Sequence, residues 1–295
     1  LWQASGWQVH IHPTEAPGHA TMLAQQAAAE QHRVVLAAGG DGTLGEAASG
    51  LVGSQTALGP LPTGTANSFG RELRMPLPHR LNHQNVLKAA ELLLHGRIHA
   101  MDMGYTRNDQ GAGHHWLLWT GVGTDGYMVD KIEPRPSWSK RMGKLGYFMQ
   151  AFTAVPTIPH MTATVTVDGR SHSGEAVLVL VSNCRLYGGQ LFLNPAARLD
   201  DGLLDVWLFQ GNGVLDIARY VVETRFVRHF QDSRLIHLRG RQIHIETTPA
   251  MCCQTDGDKA GQSPLDCEVR PSSLRLLTPP TAPDDLFIQP GEALA

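Results

Sequence analysis

Residues Arg33 to Ala38 read Arg-Val-Val-Leu-Ala-Ala and run directly into Gly39-Gly40-Asp41-Gly42-Thr43. A short, unbroken apolar run closed by glycines reads as a strand buried on both faces and followed by a tight turn. Gly45 to Leu51 then resumes a helical pattern. Buried strand, glycine turn and helix in that order point to a parallel sheet covered by helices. A turn at the carboxyl end of such a strand aims its amide N–H groups at an anion. It also lies where open α/β sheets bind ligands. The glycines permit positive φ and close approach of backbone to ligand. An aspartate beside a phosphate calls for a metal or a hydroxyl, so Asp41 is a candidate for holding Mg²⁺ directly or through water. The spacing matches neither the Walker P-loop nor the Rossmann fingerprint.

The strand–helix rhythm extends through the first hundred residues. Trp7 to His12 alternates like a strand, and Gly18 to Gln31 is Ala-rich and helical. Ala57 to Leu61 is another short strand, closed by Pro62, and Val86 to Leu94 reads as a helix. After Met101 the character changes. Trp116–Thr120, Ala163–Val167, Ala176–Ser182, Leu204–Phe209, Gln242–Glu246 and Leu274–Leu277 all read as strands. Asp168-Gly169, Asp201-Gly202 and Asp256-Gly257 supply turns between them, and helical stretches near Lys140–Ala154 and Val214–His229 interrupt them. Many short strands with polar turns suggest an antiparallel sandwich. The 295 residues thus divide into an α/β domain over 1–100 and a β-sandwich over 101–278. The segment 279–295 is either a strap returning to the first domain or a frayed end.

Composition removes several function classes. A formal net charge of −3 gives no global electrostatic reason to bind nucleic acid. No apolar run approaches the roughly 18 residues of a membrane-spanning helix, and no signal-peptide pattern opens the chain. The chain begins at Leu1 rather than Met, and a first element is expected to precede it. Cys184, Cys252, Cys253 and Cys267 contain no C-x-x-C pair, which argues against zinc and for free thiols in a reducing cytoplasm.

A second glycine loop reads Leu61-Pro62-Thr63-Gly64-Thr65-Ala66-Asn67-Ser68-Phe69-Gly70-Arg71. Pro62 ends a strand, Gly64 permits a sharp bend, and Thr65 and Asn67 place short polar side chains near the backbone. A polar βα loop with a Ser or Asn cap accounts for one such loop. Two of them, at the ends of neighbouring parallel strands, form one shared crevice for a nucleotide.

Gly39–Thr43 together with Leu61–Arg71 resemble the paired signatures of the diacylglycerol-kinase catalytic-domain family, and within it the bacterial YegS-type lipid kinases. Met101-Asp102-Met103-Gly104, Gly121-Val122-Gly123-Thr124-Asp125, Asn183, Tyr187-Gly188-Gly189, Asn194-Pro195-Ala196-Ala197 and Leu199–Val206 follow the same pattern in the same order. The resemblance implies an N-terminal three-layer α/β domain like those of phosphofructokinase and NAD kinase, and a C-terminal antiparallel β-sandwich. It implies transfer of the γ-phosphoryl of ATP to a lipid hydroxyl. Contacts to nucleotide are implied for Thr14, Gly40, Asp41, Gly42, Thr43, Leu44, Gly45, Glu46 and Thr65. A Mg²⁺ site is implied at the carbonyls of Arg198 and Leu203 with the carboxylate of Asp201. Asp258 is implied to take the place of the catalytic base.

Three positions depart from the family pattern. Gly45 stands where the family has Asn, Ser68 where it has Asp, and Asp258 where it has Glu. Ser68 removes a carboxylate from the metal–nucleotide region, and Asp258 shortens the base by one methylene. A lipid kinase needs a membrane surface, and Lys131, Arg135, Lys140, Arg141 and Lys144 with Trp138, Tyr147 and Phe148 suit an anionic interface. The expected setting is cytoplasmic and peripheral to the membrane, with no transmembrane segment and a possible homodimer. Diacylglycerol, phosphatidylglycerol and sphingoid-type alcohols all offer the acceptor hydroxyl. NAD kinase, which shares the Gly-Gly-Asp-Gly turn, is the alternative enzyme. A catalytically impaired nucleotide- or lipid-binding protein is the alternative class.

Overall fold

The computed structural model describes residues 1–78, 84–108, 110–111, 113–132 and 159–294. The expected helix over Lys140–Ala154, and the basic and aromatic residues from Arg135 to Phe148, lie outside the described residues. The described chain divides into two compact units. The first is Leu1–Met103 with Ala196–Gly202 and Arg270–Ala295, and the second is Gly104–Pro195 with Leu203–Val269.

In chain order the leading elements are α1 (His19–Ala29), β1 (Val34–Gly39), α2 (Asp41–Leu51), β2 (Ala57–Pro62), α3 (Ser68–Glu72), α4 (Gln84–Leu94) and β3 (Arg97–Arg107). In the first unit β1 lies parallel to β2, with Val34 opposite Ala57 and Gly39 opposite Pro62. The parallel pairing places the carboxyl ends of both strands, and so both glycine loops, side by side. Leu44, Ala47, Ala48 and Leu51 make the buried stripe of α2. The opposite side of α2 meets α1 at Gly50, where a Cβ would collide with the carbonyl of Thr21. The expected strand at Trp7–His12 does not form, and Ile11 is exposed. Alternation is only half of a strand's stability; the other half is a neighbouring ladder, and these residues pair with none.

The following elements are β4 (Gly113–Trp116), β5 (Trp119–Gly123), α5 (Thr124–Ile132), β6 (Met161–Val167), β7 (Arg170–Ser182), β8 (Leu186–Tyr187), β9 (Leu191–Phe192), β10 (Leu204–Gln210), α6 (Val214–Arg225), β11 (Leu235–Gly240), β12 (Gln242–Thr248), β13 (Cys252–Thr255), β14 (Asp258–Gln262), β15 (Leu265–Thr278) and β16 (Glu292–Ala293). The second unit is antiparallel. β7 pairs with β6, β5 and β10, and β12 pairs with β6 and β15. β6 and β7 join through Asp168 and Gly169, both at positive φ, the two-residue hairpin turn that the sequence indicates. Alternate residues such as Val165, Val179, Val206 and Ile245 point into one apolar core.

The C-terminal stretch belongs to the first unit. Arg275 and Leu276 of β15 run parallel to β2 opposite Ala57 and Leu58, and β16 pairs with the start of β3. Leu286 between them is fully buried, and its carbonyl accepts the amide of Leu199. Asp200 fastens the same stretch, accepting the amides of Ile288 and Gln289 at 2.7 and 2.8 Å.

Candidate active site

The carboxyl ends of β1 and β2 carry the two glycine loops, and hydrogen bonds make them one object. The carbonyl of Gly39 accepts the amides of Thr63 and Gly64 at 2.9 and 3.3 Å. A Cβ on Gly64 would stand 2.5 Å from the Cα of Gly40, and one on Gly39 would stand 2.5 Å from Cβ of Thr43. A side chain at Gly64 would push the loops apart, and one at Gly39 would collide with Thr43 within the first loop, so close approach requires glycine at both. Asn67 sits at φ 48° and closes its own loop, accepting the Gly64 amide at 2.9 Å and donating to the Gly64 carbonyl at 2.7 Å. Asn is among the few residues that tolerate that backbone region.

Asp41 bridges the loops. Its two carboxylate oxygens accept the amides of Ser68 and Phe69 at 2.9 and 3.1 Å. These are the first amides of α3, which have no partner inside the helix. The cleft around this contact is lined by Gly39, Gly40, Asp41, Leu44, Pro62 and Asn67. α2 opens on it with extended Gly40 as N-cap, so the first amides of an eleven-residue helix border the cleft.

The remaining expected nucleotide positions divide. Gly42 and Thr43 lie in the first turn of α2, beside the cleft. Leu44 is a core residue of α2 that also lines it, and Gly45 follows half-buried. Glu46 is turned toward α1, where its carboxylate accepts the amide of Ala20 at 3.2 Å. Thr65 is exposed on the second loop. Thr14 is exposed in the irregular segment before α1 and makes no hydrogen bond among the described residues.

A carboxylate cluster closes the other end of the first unit. Asp102 on β3 accepts the amides of Gly202 and Ser272 at 2.6 and 2.7 Å, and its own amide donates to Leu199. Burial pushes the Asp102 carboxyl up, the two amides pull against that, and the charges of Asp201 and Asp200 add to the rise. Asp102 and Asp200 together pin the turn that carries Arg198, Asp201 and Gly202, the last at φ 71°. Leu203 follows as the start of the second unit's next segment. Among the described residues no group of three His, Cys, Asp or Glu side chains is arranged to hold a metal.

In the second unit Asp256 and Gly257, at φ 49° and 91°, turn β13 into β14, with Thr255 opposite Asp258. Asp256 is a structural clamp: its carboxylate accepts the amides of Leu117, Leu118 and Trp119 at 2.8, 2.9 and 3.1 Å. Asp258, two residues on, is exposed. Beneath the turn, Gln254 accepts the Gly257 amide at 2.8 Å and donates to Asp125 at 2.5 Å. Asp125 lies at the start of α5 and is tucked so closely over Gly121 that a Cβ there would stand 2.6 Å from its oxygen.

The model of the diacylglycerol kinase catalytic domain matches residues 1–106, and that of the YegS C-terminal NAD kinase beta sandwich-like domain matches residues 121–278. The chain belongs to the diacylglycerol-kinase catalytic-domain family. It is similar to a diacylglycerol kinase of Bacillus subtilis, 27% identical over 89% of this chain and 83% of the relative. A diacylglycerol kinase of Staphylococcus aureus is 25% identical over 89% and 79%. A solved structure described as a diacylglycerol kinase from Bacillus anthracis covers 95% of this chain and 89% of its own at 26% identity, with a TM-score of 0.69. A second structure from that organism reaches a TM-score of 0.75. This kinase is therefore an ATP-dependent phosphotransferase acting on lipid, with an α/β N-terminal domain and a β-sandwich-like C-terminal one.

Within the kinase, Ser68 is buried at the N-terminus of α3 with its amide on Asp41. Asp125 closes the Gly121–Asp125 motif, which by itself assigns it no role. Burial pushes its carboxyl up to about 6, against hydrogen bonds from Tyr187 and Gln254 that favour the ionised form. An acid whose folded pKa is raised lowers stability as pH rises from the unfolded value through the folded one. Asp125→Asn is thus expected to stabilise the kinase at pH 8, by up to about 3 kcal/mol, and to lose that advantage near pH 4. Thermal melts of both proteins across that range check it. A variant less stable at pH 8 would mean that the ionised carboxylate is a net asset.

Proposed function

We propose that this kinase moves the γ-phosphoryl of ATP to the free hydroxyl of diacylglycerol at the cytoplasmic face of a membrane. The observation that carries the reading is the locked pair of glycine loops, where a helix N-terminus and the Gly40–Gly64 contact bring bare backbone to the cleft. The amides of Asp41, Gly42 and Thr43 receive phosphate oxygens, as helix N-termini do. Leu44, Gly45, Thr65 and Thr14 complete the nucleotide environment, and Glu46 supports it by holding α2 against α1. The names of the similar kinases favour diacylglycerol over phosphatidylglycerol or sphingoid bases.

Mg²⁺ fits a set of oxygen donors on one turn: the carbonyls of Arg198 and Leu203 and the carboxylate of Asp201. Hard cations prefer such ligands, and the turn is already fixed from beneath by Asp102 and Asp200. When bound, the ion would supply positive charge against the carboxylates gathered at that turn. Asp258 accepts the proton of the acceptor hydroxyl, and positioning and electrostatics supply the rest of phosphoryl transfer.

Radiolabelled ATP incubated with a panel of diacylglycerol, phosphatidylglycerol, sphingosine and NAD tests the acceptor. Phosphatidic acid is the expected product. Labelled NADP would replace this reading with NAD kinase, and nucleotide binding without turnover would replace it with a sensor. Asp201→Ala is expected to raise the Mg²⁺ concentration needed for half-maximal rate, with excess Mg²⁺ restoring much of the activity. Unchanged Mg²⁺ dependence and melting temperature would leave Asp201 as a turn residue.

A further inference from the structure

α6 is an amphipathic helix turned inside out. Val214, Leu215, Ala218, Val221 and Val222, with Phe226 just past its end, recur at the spacing of one helical stripe. A surface helix ordinarily turns that stripe to the core. Here it faces solvent, with Leu215 86% and Phe226 65% exposed. The inward side carries Tyr220 and Thr224, both buried, and Tyr220 donates its hydroxyl to the carbonyl of Gln210 at 2.7 Å.

Polar residues of α6 gather on one flank as an ion-pair cluster. Arg219 meets Asp216, Glu223 and Asp232 at 3.3, 3.4 and 3.0 Å, and Arg234 meets Asp216 at 3.2 Å. The acids are thereby held beside arginines, while Arg225 and Arg228 are exposed next to the apolar stripe. Phe230 continues the surface on the short turn His229–Gln231, leaning on Trp207 at 5.7 Å between ring centres. Buried His229 anchors that turn through a 2.8 Å contact to the carbonyl of Leu193. The aromatic tip is therefore built on fixed structure.

An outer face made of aliphatic and phenylalanine side chains, with arginine as its exposed charge, has the composition of a helix that lies in a membrane interface. Apolar groups enter the acyl boundary while arginines meet anionic headgroups. We propose that the α6 face, with Phe226 and Phe230, is the surface by which this kinase docks on an anionic lipid bilayer. The proposal rests on the lipid-kinase reading for its choice of partner, since the acceptor lies in such a bilayer.

Flotation of the full chain with phosphatidylcholine vesicles containing phosphatidylglycerol, and with phosphatidylcholine alone, tests it. The unmodified chain is expected to float with the anionic vesicles. Val222→Ser with Phe226→Ser should lower the bound fraction at least tenfold. Arg225→Gln with Arg228→Gln should lower it and flatten its salt dependence. Both double variants should keep full turnover of short-chain diacylglycerol in detergent micelles, which also reports that they are folded. Undiminished flotation of the Val222/Phe226 variant, or no flotation of the unmodified chain, overturns the proposal. So does a fall in sedimentation mass caused by that variant with flotation intact, because a second copy of the chain would then be what covers the face. Flotation as expected with no turnover of any lipid in micelles would instead remove the diacylglycerol reading and leave the docking surface standing.

Discussion

Asp41→Asn is expected to lower phosphoryl transfer on the order of 10³, about 4 kcal/mol of barrier, in a protein that stays folded. The carboxylate accepts two amides of α3 from the far loop. Asparagine has one acceptor oxygen, and its amide group would point a donor at a donor. Hydrogen bonds to a charged group contribute roughly 1.5–3 kcal/mol each, and a buried amide left without a partner adds its own cost. The loss falls on the seam between the glycine loops, where Gly40 and Gly64 touch, so the phosphate cradle loosens before the core does. Leu44, Ala47, Ala48 and Leu51 keep α2 in place. The clamp geometry further predicts a raised KM for ATP at an unchanged Mg²⁺ requirement. A shifted Mg²⁺ requirement would make Asp41 a metal ligand instead, and near-normal turnover would remove it from the site altogether.

Such a clamp is out of reach of sequence reasoning. Gly39 to Thr43 is legible because a glycine turn after an apolar strand is a local signal. The partners of Asp41 lie on another loop, and only the parallel pairing of β1 and β2 brings them together. The same limit explains Asp125, whose surroundings come from β5, β13 and Tyr187. Local signals also mislead. Trp7–His12 alternates as well as any strand but finds no ladder. β3 carries His99 and Asp102 in its middle and disguises its period, because Asp102 is buried by accepting amides rather than by being apolar. The Val214 pattern reads correctly as a helix. Its periodicity marks an apolar stripe and says nothing of which way the stripe faces, and that direction is what gives the α6 surface its meaning.

The two aspartates of the β13–β14 turn look interchangeable in the sequence, and the structure separates them. Asp256 holds three amides of the Leu117–Trp119 segment, so Asp256→Ala is expected to cost several kcal/mol of stability and to reduce activity only together with a lower Tm. Asp258 is exposed and packs into no core. Asp258→Ala is expected to reduce kcat by about 10²–10⁴, the usual worth of a positioned carboxylate base, with ATP affinity and Tm nearly unchanged. Asp258→Glu should remain active, since the longer carboxylate is the one found in the family pattern. The pH profile gives an independent reading. Ionisation of the base should give kcat/KM an acid limb that is missing from the Asp258→Ala variant. An alanine variant that keeps both its kcat and its acid limb would move the proton elsewhere. Because Asp256 is committed to backbone amides, the next group to test would then be Asp125, which reaches the same turn through Gln254 and, with its carboxyl pushed up to about 6, can carry a proton near neutral pH.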